Sequence, residues 1–213
     1  MIEFKGKNIL ILAPHTDDGE LGCGGSIARM LEEGANVHYV AFSTAEQSVP
    51  REFPSNQLEI EVKIATKALG IKPENLIIFK YEVRKLNYVR QEILEHLIAL
   101  REQLKPDIIF TPSTKDIHQD HSTVAFEAIR AFKTKTILGY ELIWNNIDFH
   151  SNAFIVLEER HVLQKIAALK EYQTQAGRDY TDPDFIRSMA RARGTQVGQR
   201  YAEAFELIRT IVY

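Results

Sequence analysis

Cysteine is almost missing from this chain: Cys23 stands alone among 213 residues, which excludes an intrachain disulfide and fits a reducing compartment. A strong charge of one sign is missing too. Lys and Arg number 26 against 29 Asp and Glu, for a net charge of -3, so no basic field exists to hold a nucleic-acid backbone. Long hydrophobic runs are also lacking. The stretch NILILA at residues 8–13 follows two lysines much as a signal peptide begins. It is far shorter than the roughly 18–20 apolar residues a bilayer span needs, and it leads into polar chemistry rather than a small-residue cleavage site. The expectation is a cytoplasmic protein with no membrane insertion and no nucleic-acid partner. Repeats, low-complexity tracts and Pro/Gly-rich linkers are absent as well, so residues 1–213 are expected to form one domain. That length, with 45% apolar residues, suffices for a single large core.

What is present is an alternation. Short β-rich runs at 9–13, 36–43, 76–79 and 107–111 read as buried strands, and 24–33, 58–69 and 89–104 carry apolar residues at helical spacing. Further strands are expected at 136–143 and 153–156, followed by a helical C-terminal part with helices at 158–171, 186–192 and 202–209. Strand alternating with helix implies an α/β fold, a Rossmann-like three-layer sandwich with a mostly parallel sheet.

Ligands of such sheets bind beyond the carboxyl ends of the strands, and two polar clusters fall there. Ala13-Pro14-His15-Thr16-Asp17-Asp18 follows the first strand, and His118-Gln119-Asp120-His121 follows the strand at 107–111, just ahead of a helix. Two imidazoles and one carboxylate form an N,N,O set that suits zinc or ferrous iron and leaves a coordination position open for chemistry. Adjacent aspartates cannot both point the same way from a loop, so one can ligate while its neighbour takes a proton. Gly19, Gly22, Gly24 and Gly25 resemble a dinucleotide loop only superficially. The glycines of that motif directly follow the strand, whereas here His-Thr-Asp-Asp holds the turn and its carboxylates would repel a pyrophosphate.

The stretch from Ala13 to Gly25 and the His118-Gln119-Asp120-His121 segment resemble the two signatures of the LmbE/PIG-L-like N-deacetylases, which act on N-acetylglucosaminyl compounds. Gly139-Tyr140-Glu141, Lys170 to Gln175, and Arg193-Gly194 through Phe205 echo later family positions in the same order. The resemblance implies His15, Asp18 and His121 as metal ligands, Zn2+ or alternatively Fe2+ as cofactor, and Asp17 as general base. It implies His118 as the residue that stabilises the oxyanion or protonates the leaving amine, with Asp120 orienting and charging that histidine. It further implies an N-acetylated sugar as substrate and a homo-oligomer. Two positions depart from the family pattern: Thr16 replaces its proline, and Gly19 replaces its glutamate, with Glu20 one place later. The sugar-binding arginine of the family has no clear counterpart near Leu58, and Arg51 is the nearest substitute.

Substrate contacts are expected from Glu46 and Arg51 in the polar loop at 44–56, from Tyr140, and from Arg193, with Trp144 available to stack on a sugar ring. Two rival readings remain open: a non-catalytic sugar or nucleotide-sugar binding protein on the same fold, and a metal hydrolase for another amide or an ester.

Overall fold

Short apolar runs and amphipathic segments build seven strands and six α-helices within residues 3–211, the residues this computed structural model describes. In chain order they are β1 (Asn8–Ala13), α1 (Asp18–Glu32), β2 (Asn36–Ala41), α2 (Gln57–Leu69), β3 (Leu76–Ile78), α3 (Arg90–Leu104), β4 (Ile108–Pro112), α4 (Gln119–Ala131), β5 (Thr136–Tyr140), β6 (Ala153–Leu157), α5 (Glu159–Leu169), α6 (Pro183–Gln196) and β7 (Tyr201–Arg209). One sheet holds all seven strands in the order β3-β2-β1-β4-β5-β7-β6. Pairing is parallel from β3 across to β5, and β7 lies antiparallel between β5 and β6.

β1 shows why the sheet is covered on both sides. Its Ile9, Ile11 and Ala13 join the core beneath α1, α2, α5 and α6, while Leu10 and Leu12 join a second core beneath α3 and α4. A strand buried on both faces carries a continuous apolar run, which is what NILILA is. The chain leaves β1 toward β2 and β3 on one side, then resumes at β4 and β5 on the other. The β1/β4 junction is therefore the topological switch point of the sheet, where loops diverge and a crevice opens. Among the described residues no helix is long and apolar enough to cross a membrane.

The segment 202–209, expected as a helix, is strand β7. Its Ala and Glu content favours helix locally, but the gap between β5 and β6 demands a strand, and tertiary pairing overrides propensity. Period-two alternation sends Tyr201 and Phe205 into the first core. Glu203, between them, is buried and accepts the Gly25 and Ser26 N–H groups at 3.1 and 2.7 Å. The strand expected at 136–143 ends at Tyr140. Helix α1 begins at Asp18 rather than near residue 24, so the glycines lie inside it. Its backbone breaks at Cys23 (φ -146, ψ 24). Glu203 satisfies the donors after the break, and Lys165 donates to the Leu21 carbonyl before it at 2.7 Å.

Glycine within α1 serves close approach. A Cβ at Gly22 would lie 2.2 Å from Cδ2 of Tyr140, whose ring is fully buried. Gly22→Ala is expected to lose about 1–3 kcal/mol through overpacking despite the better helix propensity of alanine. Urea unfolding measures this, and an unchanged midpoint would show that the helix and sheet are not in that contact.

Candidate metal centre

The switch point brings the two polar clusters together. β1 passes through Pro14 to His15; Asp17 is the N-cap of α1 and Asp18 its first residue. Beyond β4, His118 caps α4, and Asp120 and His121 lie in that helix's first turn. Because β1 and β4 are paired neighbours, residues a hundred positions apart face one another. Nδ1 of His15 lies 3.1 Å from Oδ2 of Asp18, Nε2 of His121 lies 3.2 Å from the same oxygen, and the two nitrogens are 3.1 Å apart. Donor atoms bound tetrahedrally to one zinc at about 2.0–2.2 Å are roughly 3.3–3.5 Å apart, so the triangle is close to the size that a small divalent ion spans. Ring nitrogens of His15, His118 and His121 also lie within 4.8 Å of one another and could hold a metal ion. The set with Asp18 is the tighter one, and Nδ1 of His118 is already engaged, accepting the Asp120 N–H at 3.2 Å.

A carboxylate stands behind each of the two closest rings. Asp120 meets Nε2 of His15 at 3.0 Å, and Asp116 meets Nδ1 of His121 at 2.8 Å. Such partners fix the tautomer and direct the opposite nitrogen forward. Asp120 therefore does not orient His118 through its side chain, as expected from the sequence; its carboxylate serves His15. It also accepts the N–H groups of Arg84 and Leu86 at 2.5 and 3.1 Å. Arg84 is held in the left-handed region (φ 66), a conformation that costs a non-glycine residue about 1–3 kcal/mol and persists only where surroundings impose it. Asp116 was not singled out in the sequence. Its position two residues before His118 is the signal, and its other oxygen accepts the His118 N–H at 2.8 Å.

Burial alone would lower the pKa of His15, but the Asp18 charge and the hydrogen bond to Asp120 outweigh it and raise the value to about 9. His121 behaves alike: burial opposes, and Asp18 and Asp116 prevail, raising it to about 10. Asp18, despite burial, is held well below the usual carboxylate range by those two rings. Asp17 is pushed the other way, up to about 6, by burial and by the adjacent Asp18. Its carboxylate lines the cleft and has no hydrogen bond to another side chain among the described residues. His118 is lowered by burial and by the neighbouring His121 and His15. Beneath this loop, Tyr39 and Tyr172 donate to the Thr16 carbonyl at 2.9 and 2.8 Å and contact the buried Glu20 carboxyl. Glu20 thus packs under the loop as structural support.

All five of His15, Asp17, Asp18, His118 and His121 line a cleft of about 290 Å³. Its other walls include Arg84, Trp144, Asn145, Gln175, Arg178 and Tyr180. Trp144 lines the cleft and stacks on Tyr180 with ring centroids 4.3 Å apart, so one face of its indole is covered by that ring. The other expected substrate contacts lie elsewhere. Tyr140 is fully buried and donates to the Leu12 carbonyl at 2.9 Å, because strand alternation turns it into the core. Arg193 is locked to Glu141, with Nε at 3.0 Å and a second nitrogen at 2.5 Å from the carboxylate. Glu46 and Arg51 are not among the lining residues; their loop contributes Ala45 and Ser48 instead. Arg84, Arg178 and Tyr180 escaped the sequence reading because they belong to irregular segments without periodicity, and Gln175 entered it only as the end of the run from Lys170.

Residues 10–132 match the PIG-L family, described as GlcNAc-PI de-N-acetylase. The chain is 28% identical over 176 residues to the uncharacterized deacetylase YaiS of Escherichia coli K12, covering 80% of this chain and 92% of the relative. It is 25% identical over 229 residues to diacetylchitobiose deacetylase of Thermococcus kodakarensis, covering 95% and 83%. Among solved structures, the conserved protein TT1542 from Thermus thermophilus superposes with a TM-score of 0.79 at 26% identity, over 97% of both chains. The fold also superposes, with a TM-score of 0.78 at 18% identity over 97% and 98%, on GalB, the 4-carboxy-2-hydroxymuconate hydratase from Pseudomonas putida. The scaffold by itself therefore hosts more than one reaction.

Asp116→Asn and Asp120→Asn each remove the charge behind one ring, and each is expected to weaken divalent-ion uptake about 10–100-fold. Competition titration of zinc against a chromogenic chelator measures it. Wild-type affinity in both variants would dissociate these carboxylates from the centre.

Proposed function

The chain belongs to the PIG-L family of de-N-acetylases, and from that premise we propose that it is a metal-dependent N-deacetylase that hydrolyses the acetamide of an N-acetylated amino sugar. The observation that carries this reading is the triangle of His15 Nδ1, His121 Nε2 and Asp18 Oδ2, with edges of 3.1–3.2 Å, beside the free Asp17 carboxylate in one cleft. These three residues are assigned as ligands of one ion, zinc in the first place, with ferrous iron accepted by the same donor set. When bound, the ion supplies Lewis acidity toward an amide carbonyl and acidity to water at neutral pH.

The chain's own residues do the rest. Asp17 takes a proton from the water that attacks the acetyl carbon. His118 accepts the Asp120 N–H on Nδ1, so its remaining proton is on Nε2, available as a hydrogen-bond donor to the developing oxyanion. This makes it a neutral donor rather than the imidazolium expected from the sequence. Asp17 then returns its proton to the nitrogen as the C–N bond breaks, and the acid product gives up its own proton to the amine, leaving acetate and an ammonium group. The Trp144–Tyr180 stack offers an apolar face for a pyranose ring, and Asn145 and Gln175 offer hydrogen bonds to its hydroxyls.

Acetate release from a panel of N-acetylated sugars tests the reading. Release is expected with zinc or iron(II) supplied, is abolished by chelation, and returns on adding the ion back. Asp17→Asn should lower kcat about 10²–10⁴-fold while ion content is retained. Wild-type turnover in that variant would eliminate Asp17 as base. Glycan binding with no acetate from any sugar would favour a non-catalytic binding protein instead.

A further inference from the structure

The segments at 139–141 and 201–206 supply no residue to the lining of the cleft, yet two glutamates of β7 reach the two stretches of chain that carry the donor triangle. Residues three apart on a strand face opposite sides of the sheet, so Glu203 and Glu206 act on different neighbours. Glu203 turns toward α1. It accepts the Gly25 and Ser26 N–H groups just beyond the break at Cys23. At 2.7 Å it also pairs with Lys165, which donates to the Leu21 carbonyl just before the break. Leu21 in turn donates its N–H to the Asp17 carbonyl at 2.9 Å. The short first piece of α1, with Asp17 and Asp18 at its head, is therefore held at its far end by this buried pair.

Glu206 turns the other way and holds the loop after β4. Its carboxylate accepts the Ser113 hydroxyl at 2.7 Å, the Thr114 N–H at 2.8 Å and the Thr114 hydroxyl at 2.5 Å. Ser113 accepts the Lys115 N–H on its hydroxyl and the Asp116 N–H on its carbonyl, both at 3.1 Å. Asp116 then meets the His121 ring and the His118 N–H. To reach this loop the Glu206 side chain crosses β5, where its paired residue is Gly139. A Cβ at Gly139 would lie 3.2 Å from the Glu206 carboxylate and 3.0 Å from Cα of Ser113, so glycine keeps that crossing open.

We infer that Glu203 and Glu206 are positioning residues of the metal centre: β7 fixes the Asp18 segment with one carboxylate and the His121 segment with the other, and so sets the spacing of the donors. This rests on the ligand assignment above. A site of this kind works only when its groups are held within about 0.5 Å of the productive geometry. The pairing of β1 with β4 ends at Ile11 and Phe110, well short of the donors, and leaves that last stretch to other contacts.

Cobalt(II), which accepts the same donor set, reads the geometry of the centre in the full chain through its visible d–d bands. Glu206→Met and Glu203→Gln are each expected to shift those bands and to weaken zinc binding about tenfold or more, with kcat falling and KM held. Glu206→Gln, which keeps an acceptor oxygen, should restore most of the loss. Leu69→Ala truncates a buried residue at the far end of α2 and is the structural control. It should lower the unfolding midpoint and leave bands and zinc affinity as in the wild type. Glu206 is only half-buried, so its variants carry the test where Glu203→Gln does not fold. Wild-type bands and zinc affinity in Glu206→Met, or the same change in Leu69→Ala, overturn the inference and leave the deacetylase reading intact. A wild-type chain that takes up neither cobalt nor zinc overturns both.

Discussion

One oxygen of Asp18 lies between two imidazole nitrogens that are themselves only 3.1 Å apart, and that crowding is the constraint around which the molecule is arranged. Three donors so close repel unless a cation or protons lie among them. The Asp18 charge, with Asp120 and Asp116 behind the rings, raises the pKa of His15 to about 9 and of His121 to about 10 against the effect of burial. A divalent ion bound among these donors would displace their protons, so uptake would be coupled to proton release. Parallel pairing of β1 with β4 brings the donors to one edge; without it, His15 and His121 would have no reason to meet.

The surroundings of the triangle are built to resist its collapse. Asp116 and Asp120 fix the two rings from behind, while Tyr39, Tyr172 and Glu20 hold the Thr16 carbonyl from below. Gly19 lets the Tyr39 hydroxyl come within 3.1 Å of its own N–H, an approach any side chain would block. The departure at Gly19 thus affects the packing beneath the loop, whereas Thr16 is itself one of the residues that line the cleft.

Much of this was legible from local pattern. β1 and β4 are apolar runs that end in polar clusters, and that signal is strong enough to locate His15, Asp17, Asp18, His118 and His121. The rest depended on contacts between distant segments. β7 was misread because alanine and glutamate favour helix where the pairing needs of β5 and β6 are invisible. Tyr140 and Arg193 were misassigned because a side chain's direction and partner are tertiary facts: one turns into the core, and the other is claimed by Glu141. Asp116 lay in plain view two residues from His118, yet only the loop's path shows that it reaches past it to His121. Arg84 and Arg178 carried no periodic signal at all.

Asp120 has one further implication, which concerns how freely such a cleft can diversify. A single carboxylate secures both the His15 ring of the donor triangle and the backbone turn that bears Arg84. Changes in that turn are therefore transmitted to His15. The wall carrying Tyr180 and Arg178 reaches the same loop by a longer route: Tyr180 donates to Gln175, and Tyr172 donates to the Thr16 carbonyl. Side chains at the outer end of that route are further removed from the donor triangle than those of the Arg84 turn, so variation there disturbs it less.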